Sequence, residues 1–206
     1  MVDVATENAK QADQGFSLIE LMIVVLIAMV LAAITAPGLF NMISDVKLRY
    51  SASNFAGLLQ SARIQAVRRN TFYGIQPVAL GSGDAAYYVD LPKSGAYANG
   101  DPLMPLGTQL TVRTGIGSGA PNEAAFIAGL NFAVNPGASP PTFNARGLPC
   151  VVVGTTCPQT PGQGFVVFLS RVTLAGNVRW GAVALNPSGR VQVWTSDSTG
   201  NWVQRD

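Results

Sequence analysis

Cys150 and Cys157 are the only two cysteines of the chain and stand seven apart in "CVVVGTTC", around a valine run and Gly154-Thr155-Thr156 that would turn as a short hairpin. The spacing can close a small disulfide loop of the kind that an oxidising compartment preserves; two unrelated buried thiols are the alternative. Two sulfurs without neighbouring ligands do not make a metal site. The chain contains no histidine. That removes the usual general base, the Ser/His and Cys/His nucleophile pairs and most zinc sites. Asp84, Asp90, Asp101, Glu123 and Asp197 are scattered over loops and strand ends, so a two-carboxylate hydrolase would need a pair to meet in space. "GSGDAA" and "GIGSGAP" lack the lysine or the strand-to-helix setting of a phosphate loop, and their glycines read as turns. No enzymatic activity, cofactor or metal is expected.

One further acid stands out by its surroundings. Glu20 lies near the start of "GFSLIELMIVVLIAMVLAAITAP", Gly15 to Pro37. From Leu18 to Ala36 this run would rise about 28 Å as a helix, against a hydrocarbon core of about 30 Å. A cleaved secretory signal fits poorly, because a cut after Ala36 would have bulky Ile34 upstream and Pro37 immediately after. A mid-membrane acid costs about 2.5 to 3.5 kcal/mol on insertion scales, and less toward the edge where Glu20 sits. The helix itself offers no compensating cation, since Lys10 is far upstream and the next base is Lys47. A second chain could: a cut between Gly15 and Phe16 would create an amine at the depth of Glu20.

The stretch "G/FSLIELMIVVLIAMVLAAITAP" closely resembles the processing site of type IV prepilins and type II secretion pseudopilins. The resemblance implies a membrane prepilin peptidase that cuts after Gly15 and methylates the amine of Phe16. Glu20 would register each incoming subunit against its neighbour's amine. It also implies a single-pass protein of the bacterial inner membrane with its head in the periplasm, later moved into a periplasmic or cell-surface filament by an assembly platform. The acidic leader and the bases Lys47, Arg49 and Arg63 beyond the span argue for the opposite orientation by the positive-inside rule. The motif takes precedence, because a disulfide needs the head outside the cytosol.

The elements that must position these groups follow from patterning. From Gly38 to about Asn70 no proline intervenes, and Leu39, Ile43, Val46, Tyr50, Phe55, Leu59, Ala62 and Ala66 recur at helical spacing. Lys47, Arg49, Gln60, Arg63 and Arg68 fall largely off that stripe, on a wettable side. One helix of about 55 residues is predicted, apolar in its first half and amphipathic in its second, with a bend near Pro37 and Gly38. Beyond Asn70 come β-type runs: "TFYGIQPVAL", "AAYYVDL", "QLTVRT", "AAFIAGLNFAV", "GFVVFLS", "VRWGAVALN" and "RVQVWT". "NPSG", Asn186 to Gly189, joins two of them as an antiparallel hairpin. Gly/Pro-rich loops cover Pro92 to Gly107, Gly115 to Asn122 and Asn135 to Pro149. The expected class is α+β and pilin-like, a long N-terminal helix packed on an antiparallel β-rich head. The expected divisions are a leader at 1–15, a transmembrane or filament-core helix at 16–37, an amphipathic helix at 38–70 and a head at 71–206.

"FNARGLP", "GFVVFLS" and "VRWGAVALNPSGRVQVW" further resemble the GspH/FimT branch of these families. The branch implies a minor subunit that helps to start or cap a filament of other pilins or pseudopilins. Some members are DNA receptors in natural transformation, with a Gly-Arg-x-Arg sequence near the carboxyl end. Here the sequence is Gly189-Arg190-Val191-Gln192, so Gln192 replaces the second arginine. Arg171, Arg179 and Arg205 would compensate if they share a face with Arg190, and Trp194 and Trp202 would stack on bases. The competing reading is a hairpin arginine beside core aromatics. The net charge is +2; removing residues 1–15 leaves 12 bases against 8 acids, a mild excess for nucleic acid.

Overall fold

The structure is a computed structural model that describes residues 17–81, 85–106, 109–137, 139–173, 176–197 and 199–205, excepting the side chains of 36, 37, 40 and 41. The chain forms two compact units, Met1–Leu39 and Phe40–Asp206. Helix α1, Leu18–Arg68, has 51 residues and begins in the first. Within it Leu18–Thr35 has a mean hydropathy of 2.8 and no buried residue, long and apolar enough to cross a membrane.

In the second unit α1 buries Leu48, Ala52, Phe55, Leu59, Ala62 and Ala66, at alternating spacings of four and three. This corrects half of the predicted stripe. Val46 and Tyr50 are 60% and 68% exposed, whereas Leu48 and Ala52 are 2% and 0% exposed. Residues 46 and 48 differ by about 200° around a helix, so Leu39, Ile43, Val46 and Tyr50 form a second apolar row on the opposite side. Apolar identity alone carried the phase of one row into the other. Small Ala52 belongs to the core row because it lets the helix lie close to the sheets.

Two sheets receive that face. The first has the order β3-β2-β1-β6-β7, from Leu103–Pro105, Ala85–Val89, Tyr73–Ala79, Thr142–Phe143 and Pro149–Cys150. The second has the order β11-β10-β9-β8-β4, from Trp202–Arg205, Val191–Ser196, Val178–Leu185, Gln163–Val172 and Leu110–Thr114. Along these orders every pairing is antiparallel; the short β5, Ala133–Val134, adds a parallel pair with β8. Phe165, Val167 and Leu169 of β8 face α1 with Val183 and Leu185 of β9. Burying each such side chain contributes about 1.5 to 3 kcal/mol.

The other face of β8 and β9 makes a second cluster, in which Val166, Phe168, Ala182 and Ala184 meet Phe126, Leu130, Trp180, Trp194 and Trp202. Its cover is helix α2, Glu123–Gly129, where "AAFIAGLNFAV" was expected to be a strand. The helix wins for a physical reason. Glu123 and the alanines hold helical geometry well, and Phe126 and Leu130, four apart, present one buried face. Only Ala133–Val134 at the end of that run is β.

Candidate functional site

Glu20 stands in the first turn of α1, exposed among exposed apolar residues. The helix amino end favours its negative charge, and no cation pairs with it among the described residues. Gly15 and Phe16, the expected cleavage and methylation positions, lie outside the described residues.

The cysteines are bonded, with an S–S distance of 2.07 Å and Cα atoms 5.4 Å apart. The bond closes the expected hairpin: Val153 N donates to Thr156 O at 2.8 Å, Thr156 N returns to Val153 O at 3.1 Å, and Gly154 turns with φ 59°. Its base is fixed on β7 by buried Cys150, while Val152 and Val153 at its tip are exposed.

Three turns share one construction. Asn144, Asn186 and Asp197 each precede by three a glycine with positive φ: Gly147 at 73°, Gly189 at 82° and Gly200 at 87°. In each, the side-chain oxygen of the first residue accepts from the amides two and four positions on: Arg146 and Leu148, Ser188 and Arg190, Thr199 and Asn201. The first two turns meet at Arg63. Its Nη1 donates to Gly189 O at 2.9 Å and its Nη2 to Ser188 O at 3.4 Å. A Cβ on Gly189 would lie 2.6 Å from Gly147 O, and one on Gly147 3.1 Å from Arg63 Nε. The motifs "FNARGLP" and "NPSGR" are thus the two halves of a seat for one guanidinium. Arg63, expected on the wettable side of α1, is instead half-buried in this seat. Nothing local to Arg63 reveals a partner 126 positions away, but the repeated Asx-x-x-Gly pattern marks both turns.

The acids weighed for catalysis hold loops. Asp90 accepts from the amides of Ser94 and Gly95, and Asp101 from those of Leu91 and Ala98. Burial pushes the Glu123 carboxyl up, but donors at Gly117, Ser118 and Gly119 outweigh it and hold it below its ordinary value. Asp197 is lowered to about 2, first by the Thr199 hydroxyl and then by the Asn201 amide. Asp84 lies outside the described residues. No group of three acids or cysteines is placed to hold a metal ion among the described residues.

Arg171, Arg179 and Arg190 do not form one surface. Arg171 and Arg179 are direct partners across β8 and β9, and Arg179 Nε lies 3.3 Å from Asp45 Oδ1 on α1. Arg190 belongs to the turn after Leu185, the opposite end of β9. About six residues at 3.3 Å each separate the two ends. Trp194 and Trp202 are half-buried against Phe126, the latter stacked at 4.4 Å between centroids, as the core-aromatic alternative expects.

Residues 10–36 match the prokaryotic N-terminal methylation motif, and residues 51–189 match the family described as type II transport protein GspH. No curated protein and no solved structure matches the chain. The methylation motif ahead of an exposed apolar helix, and a helix-on-sheets head spanning the second match, agree: the chain belongs to the GspH family, as a GspH/FimT-type pseudopilin with a pilin-like fold.

Proposed function

We propose that the protein is a minor, non-catalytic subunit of a type II secretion pseudopilus or a type IV pilus, which helps to start or cap the filament. It enters the inner membrane as a precursor, with residues 38–70 and 71–206 as the helix and sheets of a periplasmic head. Prepilin peptidase cuts between Gly15 and Phe16 and the new amine is methylated. The assembly platform then lifts it into a filament of other pilins or pseudopilins. The observation that carries this reading is a wholly exposed apolar helix with a single carboxylate, Glu20, in its first turn, inside the matched methylation motif.

Apolar helix packing excludes water from the filament core, where an unpaired carboxylate is costly. The amine of a neighbouring Phe16 is the compensating cation. Glu20→Ala should therefore leave leader cleavage intact and lower the amount of subunit in sheared filaments at least several-fold. Equal recovery of variant and wild type would refute the pairing. Gene neighbourhood discriminates the two settings: secretin and secretion-platform genes accompany a pseudopilin, other minor pilin genes a pilus subunit.

A further inference from the structure

Where β9 begins, four arginines gather on the face of the second sheet that α1 covers. Arg171 and Arg179 are directly opposite each other across β8 and β9, an arrangement that destabilises a sheet unless the charge is compensated. Arg205, on β11, reaches along the same face and donates from Nε to Thr195 Oγ1 at 3.0 Å. Arg49 approaches from α1, exposed and without a hydrogen bond or ion pair among the described residues. Arg49, Arg179, Arg205 and Thr195 line a polar cleft of about 320 Å³, together with Asp45 and Asp197.

The two carboxylates offset only part of the charge of four arginines. Asp197 stays ionised and is fastened to its own turn, where Thr199 and Asn201 donate to it. Asp45 is 43% exposed and touches Arg179 alone, at 3.3 Å, without the alignment of a hydrogen bond. The buried Nε of Arg179 has this ion-pair contact in place of an aligned hydrogen bond, while Arg171, whose Nη2 donates to Gln109 Oε1 at 3.2 Å, lies outside the cleft lining and adds only its charge. The cleft keeps an excess of positive charge, and an anion with several oxygens can accept from Arg49, Arg179 and Arg205 together.

We propose that this cleft is a binding site for a phosphate-type oxyanion, held by Arg49, Arg179 and Arg205. The chemistry is that of a phospholipid headgroup or of free phosphate. A nucleic-acid strand fits less well, because it presents successive phosphates and Arg190, the cation that would extend the track, lies at the far end of β9. The site goes beyond the filament role and stands or falls apart from it, since it needs no processing or assembly.

The test uses the full chain in a non-ionic detergent, followed by tryptophan fluorescence on heating. Inorganic phosphate at about ten times its Kd should raise Tm by roughly 3 to 6 °C over chloride at equal ionic strength. R49Q, exposed and dispensable for folding, should weaken phosphate at least several-fold, and R49Q/R205Q should abolish the shift. Phosphatidylglycerol nanodiscs that displace phosphate, while phosphatidylcholine nanodiscs do not, would identify the headgroup as the source; no displacement by either would identify free phosphate. The same shift with chloride, or an undiminished shift in the double variant, would overturn the site. Single-stranded DNA that binds more tightly as its length grows, with equal loss in R190Q and R49Q, would replace it with a nucleic-acid track.

Discussion

Arg63 shows what one side chain can hold. Its guanidinium satisfies Gly189 O and Ser188 O and lies 3.1 Å from where a Cβ on Gly147 or Gly189 would stand, so one residue touches both turns from the helix. Hydrogen bonds from a charged donor are worth about 1.5 to 3 kcal/mol, and Arg63→Met keeps the stem while deleting them. We expect that loss in urea unfolding of the full chain; a change within about 0.5 kcal/mol, the range of ordinary surface substitutions, would show that the seat is only a contact. Asp197 gives a second test. Its folded pKa is depressed, so what its carboxylate contributes is present above the ordinary 3.8 and is lost as pH falls through about 2. Carbon-detected NMR titration should place its midpoint at about 2, with the Thr199 and Asn201 amides moving together with it. A midpoint near 3.8 would mean that the turn does not hold it.

Among elements, the sequence was most informative where residue type and period agreed. Six strand runs were legible because alternation and turn residues coincided, and the β9–β10 hairpin followed from "NPSG" alone. The disulfide hairpin was legible from spacing as one of two readings. The short strands β3, β6 and β7 were hidden in Gly/Pro-rich loops, because two or three residues hold no period and owe their form to a neighbour in the sheet. β11, four residues long and outside those loops, was also missed. α2 was lost to the β-like look of Phe and Ile, although Phe126 and Leu130 keep helical spacing. The phase of α1 is the correction with the largest consequence, and paired substitutions test it. Phe55→Ala should cost about 3 to 5 kcal/mol, whereas Val46→Ala should change stability by less than about 0.5 kcal/mol, both read by denaturant unfolding. A large cost at Val46 would put the core on the other row.

At the scale of the whole molecule, sequence and fold divide the labour. The apolar half of α1 buries nothing among the described residues, which fits a membrane anchor, and under the proposed function the same surface packs against other subunits. The head is held by a helix seated on two sheets, one disulfide hairpin and turns fastened through Arg63. Of the candidate site, the role of Glu20 is part of the proposal, whereas the cysteine bond was legible because the pair is chemically conspicuous among its neighbours. The partition of the arginines was not, since strand pairing alone decides that Arg171 faces Arg179 and that Arg190 lies a strand away. The account rests on processing, because only a cut between Gly15 and Phe16 supplies the amine that Glu20 needs. Intact mass and amino-terminal sequencing of the membrane-extracted protein test it directly. The account predicts a chain that starts at N-methylated Phe16 and is lighter by the two hydrogens of a Cys150–Cys157 bond; a product that retains residues 1–15, or one with an unmethylated first residue other than Phe16, would contradict it.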